Sequence, residues 1–200
     1  MSMEQYRSRI IPDRLPQGAG GNNTLRRMVL DFIETVVLSL FLFLGINAVT
    51  ARIRVESISM QPTLYAGDLV LVNKLAYKFG LPDRGDIIIF HYPPDPNREP
   101  YIKRVIGIPG DIIRVAEGKI LINDEVIAEP YLKVTPNYEG DWVVPEGSLF
   151  VLGDNRNRSS DSHSWGMVPL KNVMGRALVV YWPPKDWKAL DVTIAIAADH

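Results

Sequence analysis

Between Glu34 and Arg52 the chain carries no charged residue, and residues 36–44 form a row of Val, Leu and Phe interrupted only by Ser39. Residues 35–51 lie near the lower limit of length for crossing about 30 Å of hydrocarbon as a helix. The stretch reads as a membrane anchor, with Asp31 and Glu34 near one interface. A buried core helix is the competing reading, disfavoured by so many consecutive large apolar side chains. A cleaved signal peptide also fits less well. Ala48 and Ala51 come close to a small-x-small exit but do not form a convincing one before a polar mature start, and the run begins late in the chain. Arg7, Arg9, Arg14, Arg26 and Arg27 precede the run against Glu4 and Asp13, whereas only Arg52, Arg54 and Glu56 follow closely. Positive charge favours the cytoplasmic side, so the N-terminus is expected there and everything after Ala51 is expected to be translocated.

Beyond the anchor about 150 residues remain, enough for one globular domain with its own core. The 200-residue chain has no cysteine, which removes disulfides and thiolate metal sites. With a net charge of -1 and its bases interspersed among acids, it offers no stripe that would track nucleic-acid phosphates. Residues 1–27 hold Pro12, Pro16 and a glycine-rich cluster at 18–23, and read as a flexible tail. Those glycines are no nucleotide loop, because no strand precedes them and no Gly-Lys-Ser/Thr follows.

After the anchor the pattern changes to short runs of β-branched and aromatic residues at 68–72, 86–90, 101–106, 111–115, 119–122, 148–152 and 176–182. Turn residues separate them, among them Pro82-Asp83-Arg84-Gly85, Pro109-Gly110, Glu117-Gly118 and Pro145-Glu146-Gly147. The spacing predicts a mainly β, antiparallel body preceded by one N-terminal transmembrane helix. The expected division is a cytoplasmic tail over 1–27, the helix over 28–51, the β domain over 52–188 and a C-terminal tail over 189–200.

Two residues suggest chemistry. Ser59 lies in Ser57-Ile58-Ser59-Met60-Gln61-Pro62, and Lys103 in Tyr101-Ile102-Lys103-Arg104-Val105. A serine hydroxyl is a poor nucleophile until a base takes its proton, and a lysine desolvated enough to be neutral can act as that base. The polar loop 153–166 follows an apolar strand, and its Ser159, Asp161 and Ser162 are candidates to aim such an amine. A solvated loop with Asx turns is the alternative.

In these segments the chain resembles the type I signal peptidases, membrane-bound proteases with a Ser-Lys dyad, in their compact single-span form. Ser57 to Leu64 matches the nucleophile segment, 68–72 the strand after it, Arg84-Gly85-Asp86 with Tyr101 to Asp111 the lysine segment, and Gly153-Asp154-Asn155-Arg156 with Ser159, Asp161-Ser162 and Trp165-Gly166 the last box. The resemblance implies Ser59 as nucleophile, Lys103 as general base, and the Ser57 hydroxyl with the Ser59 backbone N–H as oxyanion hole. It also implies Ser159 as the group orienting the lysine, with Asp161 and Arg156 as supports. The implied partners are preprotein signal peptides, the lipid bilayer and the nearby export machinery. The implied place is a plasma or thylakoid-like membrane. Ile58 stands where some members have glycine, and His163 where many carry arginine.

Lys103 must then lose its charge. With an ordinary pKa near 10.4, neutrality at pH 7 costs on the order of 4 kcal/mol, so apolar walls such as Ile102, Val105 and Ile106 are expected around it. No cofactor or metal is expected, since His91, His163 and His200 are scattered without ligand spacing. Pro62 stands where a Ser-x-x-Lys site would need its lysine. A self-cleaving repressor-like Ser-Lys protease would lack the anchor. A noncatalytic membrane-tethered β domain that binds exported peptides is the alternative from a different class.

Overall fold

A computed structural model describes residues 21–190 and 195–196, and the chain divides into two units between Ile46 and Asn47. Residues 1–20 of the tail expected over 1–27 lie outside the described residues, and 21–27, expected in that tail, are helical, so the helix expected to begin at 28 begins at Gly21. The first unit holds most of helix α1, Gly21–Val49. Thr24–Val49 is long and apolar enough to cross a membrane, and Phe32, Val37, Leu38, Phe41 and Leu42 along it are all exposed. A core helix would bury such side chains, so that reading is not met.

In the second unit, β1 (Thr50–Arg54) begins directly after the helix. Thr50 and Ala51, counted with the apolar run in the sequence, open this strand because they pair with Asn73 and Val72 of β2 (Leu69–Asn73). The strands that follow are β3 (Ile87–Phe90), β4 (Tyr101–Gly107), β5 (Ile112–Ala116), β6 (Lys119–Ile122), β7 (Glu125–Ala128), β8 (Gly140–Val143) and β9 (Ser148–Leu152). A four-residue helix α2 (Ser162–Trp165), then β10 (Val168–Pro169), β11 (Val173–Trp182), β12 (Lys188–Ala189) and β13 (Ala195–Ile196) complete the order.

Two antiparallel sheets result. The larger runs β1-β2-β11-β3-β4-β9-β10 with β12 on β11, and the smaller runs β13-β7-β6-β5-β8. The body is therefore mainly antiparallel β, as expected. The C-terminal tail expected over 189–200 differs in part: Leu190 is buried and β13 pairs with β7 through Ala195 and Ala128, while 191–194 and 197–200 lie outside the described residues.

The apolar runs report which strands are central. In β3, Ile87 and Ile89 join a cluster with Met60, Leu64, Val70 and Ile102, whereas Ile88 and Phe90 join another with Val105, Leu149 and Val151. A strand covered on both faces must be apolar at every position, which is why Ile-Ile-Ile-Phe does not alternate. In the smaller sheet β5 alternates, with Ile113 and Val115 buried in a third cluster beside Ile120, Ile122 and Phe150. Strand β7 was not among the expected strands, although Asn123 and Asp124 both adopt positive φ (54° and 68°) between β6 and β7. A two-residue hairpin turn with both central residues left-handed favours Asn and Asp at these places.

Candidate active site

Beyond β1 the chain continues extended: Val55 N–H donates to Asp68 O (2.9 Å) and Gly67 N–H to Val55 O (2.8 Å). It then turns, with Gln61 N–H on Ile58 O (3.2 Å) and Leu64 N–H on Met60 O (2.8 Å), while Met60 and Leu64 plug fully buried sites. Ser59 therefore sits where an extended arm enters a tight turn whose next residue is locked in the core. Its own exposure is 6 %.

Lys103 comes from the middle of β4, opposite Ile88 of β3. Its Nζ donates to Ser59 Oγ at 2.7 Å and to Ile102 O at 3.1 Å, and lies 5.4 Å from the Tyr101 ring centre. The side chain is almost completely buried. Burial pushes the Lys103 pKa down to about 8, against the opposing pull of the Asp161 and Asp154 charges. Ile102, Val105 and Ile106, expected as walls, are all buried, yet they belong to three different clusters. The hydroxyl of exposed Ser57 is 3.0 Å from Ser59 Oγ.

The loop after β9 closes over the other side of Ser59. Asn155 N–H donates to Ser59 O (2.9 Å) and its side-chain amide to Ile58 O (3.2 Å), so one residue holds two carbonyls of the serine segment. Gly153 is forced by this approach: a Cβ there would stand 2.5 Å from Ser59 O and would also collide with Ser159 Oγ. Gly153 N–H donates to Asp161 Oδ2 (2.9 Å). The other Asp161 oxygen meets His163 Nδ1 at 2.6 Å, and the His163 ring stacks on Tyr138 with centres 4.0 Å apart. Ser159 Oγ is buried without a protein hydrogen-bond partner among the described residues. Ser162 accepts the Val151 N–H (3.0 Å).

Two fully buried arginines brace this loop. Arg104, next to Lys103, donates to both oxygens of Asp154 (2.8 and 2.7 Å) and to Gly85 O (2.9 Å), and lies 4.1 Å over the Tyr131 ring. Arg156 donates to Gly153 O (3.2 Å) and pairs with both oxygens of Glu129, one at 2.6 Å. Tyr131 O–H closes the circuit on Glu129 Oε1 (2.6 Å). Asp154 and Arg156 thus flank Asn155, each tied through a buried ion pair.

Of the sequence candidates, Ser57, Ser59 and Lys103 meet within hydrogen-bond reach. Asp161 accepts from Gly153 N–H and Arg156 donates to Gly153 O, so both bind the backbone that lies against Ser59 O, whereas Ser159 packs beside Gly153 without a hydrogen bond to Lys103. Sequence reasoning assigned no role to Arg104, Asp154, Asn155, Glu129 or Tyr131. A signal existed for the first two: a charged residue inside an apolar strand or at its end is buried only with a partner. Glu129 and Tyr131 sit in an irregular connection, where no periodicity marks them.

A groove of about 570 Å³ opens on the dyad, lined by 52–59 on one wall and 99–103 on the other, with Arg158 and Ser160 at its rim. Strand β9 pairs with β4 only from Arg104 onward, so the edge of β4 at 101–103 is not covered by β9.

Comparison with known proteins identifies the family of the chain. A signal peptidase I of Leptolyngbya laminosa is 46% identical over 164 residues, covering 78% of this chain and 80% of that one. A probable thylakoidal processing peptidase 2 of Arabidopsis thaliana is 46% identical over 137 residues, 65% of this chain and 37% of its own length. The crystal structure of a signal peptidase I from Enterococcus faecalis, 34% identical, covers 48% of this chain and 95% of that one with a TM-score of 0.43. The family described as "Signal peptidase, peptidase S26" matches residues 27–182, and the chain belongs to this family of serine peptidases.

Proposed function

We propose that the chain is a membrane-anchored endopeptidase that removes N-terminal signal peptides from translocated preproteins, with Ser59 as nucleophile and Lys103 as general base. The observation that carries the reading is the 2.7 Å contact between a buried amine and a buried hydroxyl. Neutral Lys103 takes the Ser59 proton as Oγ attacks the scissile carbonyl. The Ser57 hydroxyl and the Ser59 N–H stabilise the oxyanion. Lys103 gives the proton to the leaving amine as the C–N bond breaks, then takes one from the water that attacks the ester and passes it to Ser59 Oγ as the ester C–O bond breaks, restoring the hydroxyl and the neutral amine. Ser159, whose buried hydroxyl makes no protein hydrogen bond in the resting site, accepts from the Lys103 ammonium once that amine has taken the serine proton. Asp161 and Arg156 hold the loop that bears Gly153 and Asn155.

The substrate lies extended in the groove between 52–59 and 99–103, pairing with the edge of β4 that β9 leaves uncovered, so that alternate side chains enter shallow pockets. Helix α1 holds the body at the outer leaflet beside the export machinery, with the N-terminus cytoplasmic, and the domain over 52–188 meets each preprotein as it emerges. In detergent, the purified chain is expected to cut a preprotein once, after its Ala-x-Ala site, as read by mass spectrometry. Ser59→Ala is expected to abolish the cut while the fold persists. A Ser59→Ala protein that still cuts would overturn the assignment. Preprotein binding without any cleavage by the wild type would favour the noncatalytic peptide-binding domain instead.

A further inference from the structure

The arginines of the β body differ in what they meet. Arg84, Arg104, Arg114, Arg156 and Arg176 each pair with a carboxylate, and Arg98 lies 5.7 Å from the centre of the Tyr92 ring. Arg52, Arg54 and Arg158 make no ion pair among the described residues, and all three line the groove that opens on the dyad. The carboxylates on that groove, Glu56 and Glu99, are exposed and pair with none of them. A guanidinium is the side-chain group best shaped to hold a carboxylate, so here the counter-ion is left for the occupant of the groove to bring.

Arg158 stands apart from the other two in how firmly its backbone is held. It ends the short turn Arg156–Arg158. Just before the turn, Asn155 binds Ser59 O and Ile58 O. Within it, Arg156 is fully buried, and Asn157 accepts the Asn137 N–H (2.9 Å) and donates to Thr135 O (3.0 Å). Arg158 N–H closes on Asn155 O (2.9 Å), while its exposed side chain makes no hydrogen bond among the described residues. A free guanidinium is thus carried on a fixed backbone, shortly after the residue that grips the serine segment.

The groove walls decide which part of a substrate this group faces. Four antiparallel pairings separate β1 from β4, so the two strands run the same way, with Arg52 and Glu99 at one end of the groove and Ser59 and Lys103 at the other. Ile53, Val55 and Ile102 pack into one core cluster between those ends, an alternation that suits the two small side chains of an Ala-x-Ala site. Under the proposed function the signal peptide therefore lies along 52–58 and 99–102. The chain after the cut then passes the dyad toward the loop that carries Arg158.

We infer that Arg158 is a specificity-determining residue: its guanidinium takes the carboxylate of an Asp or Glu at the first or second position after the cut and disfavours Lys or Arg there. This rests on the endopeptidase reading and adds a charge preference to it. An acidic start suits an exported chain, because bases close to an apolar segment oppose translocation. The pair forms at an exposed rim, so it changes rates by a few-fold rather than by orders of magnitude.

Preproteins that carry Asp, Asn or Lys at the first or at the second position after the cut are cleaved in detergent at low salt, with the cut position read by mass spectrometry. The enzymes are the wild type, Arg158→Lys, Arg158→Gln and Arg158→Glu. At one of the two positions the wild type is expected to give a kcat/KM for Asp about three- to tenfold above that for Lys, with Asn between. Arg158→Lys is expected to keep that order, Arg158→Gln to bring the ratio near one, and Arg158→Glu to invert it. High salt is expected to shrink the wild-type ratio. Equal wild-type rates for Asp and Lys at both positions would overturn the inference. So would Arg158 variants in which all rates fall together at an unchanged ratio, the mark of a residue that only supports its loop. A wild type that cuts none of these preproteins would overturn the endopeptidase reading itself.

Discussion

Lys103 Nζ donates to Ser59 Oγ at 2.7 Å across a separation of 44 residues, with both side chains buried. Each partner is fixed from behind, Lys103 by the pairing of β4 with β3 opposite Ile88, and Ser59 by Asn155 and the plugged turn at Met60. A bound lysine of this kind weighs on the fold. Held at about 8 in the folded chain and near 10.4 unfolded, it binds fewer protons folded than unfolded between those values. Its desolvation subtracts about 3 kcal/mol from stability below pH 8, and that loss shrinks as pH rises and is gone above about 10.4. Lys103→Met is therefore expected to unfold at higher urea than the wild type at pH 7, with the advantage mostly lost at pH 10.

Ser57 Oγ stands 3.0 Å from Ser59 Oγ, and in the proposed mechanism it donates to the oxyanion. Ser57→Ala is expected to lower kcat about a hundredfold or more with KM little changed, the usual consequence of losing one oxyanion donor. Steady-state cleavage of a preprotein measures the split. A rise in KM alone would assign Ser57 to substrate binding.

Gly153 leaves no room for a methyl group between Ser59 O and Ser159. The backbone carbonyl cannot swing aside as a flexible side-chain end can, so Gly153→Ala is expected to displace Ser59 from Lys103. A displacement near 1 Å costs on the order of a hundredfold in kcat. Wild-type rates in a folded Gly153→Ala protein would show that the loop does not position the serine.

Glu129 neutralises the fully buried Arg156. Glu129→Gln leaves that guanidinium without its charge partner and is expected to destabilise the body by about 3–5 kcal/mol, whereas replacing both residues by apolar ones of similar size costs far less. Urea unfolding of the single and double variants checks this.

How far these residues could be read in advance follows from their physics. Ser59, Lys103 and the strands with continuous apolar runs carry local signals: a nucleophile before a turn proline, a lysine inside an apolar strand, burial on both faces. Strands β7 and β8 are four residues each and all but Ile127 are exposed or half exposed, so hydrophobicity barely marks them. The Glu129 to Arg156 and Arg104 to Asp154 pairs join positions 27 and 50 residues apart, and nothing in local sequence states which acid meets which base. The end of α1 was displaced by two residues because Thr50 and Ala51 are uncharged in a helix and in a strand alike, and only the pairing with β2 decides between them.

The neutral amine is tested most directly by kcat/KM for preprotein cleavage measured from pH 5.5 to 10, in the wild type and in Lys103→Arg. Because only deprotonated Lys103 accepts the serine proton, kcat/KM is expected to rise about tenfold per pH unit and to level off near pH 8. Lys103→Arg, whose guanidinium stays charged, is expected to be inactive throughout. A wild-type rate that is flat down to pH 6, or an Arg variant that cleaves, would contradict Lys103 as the base.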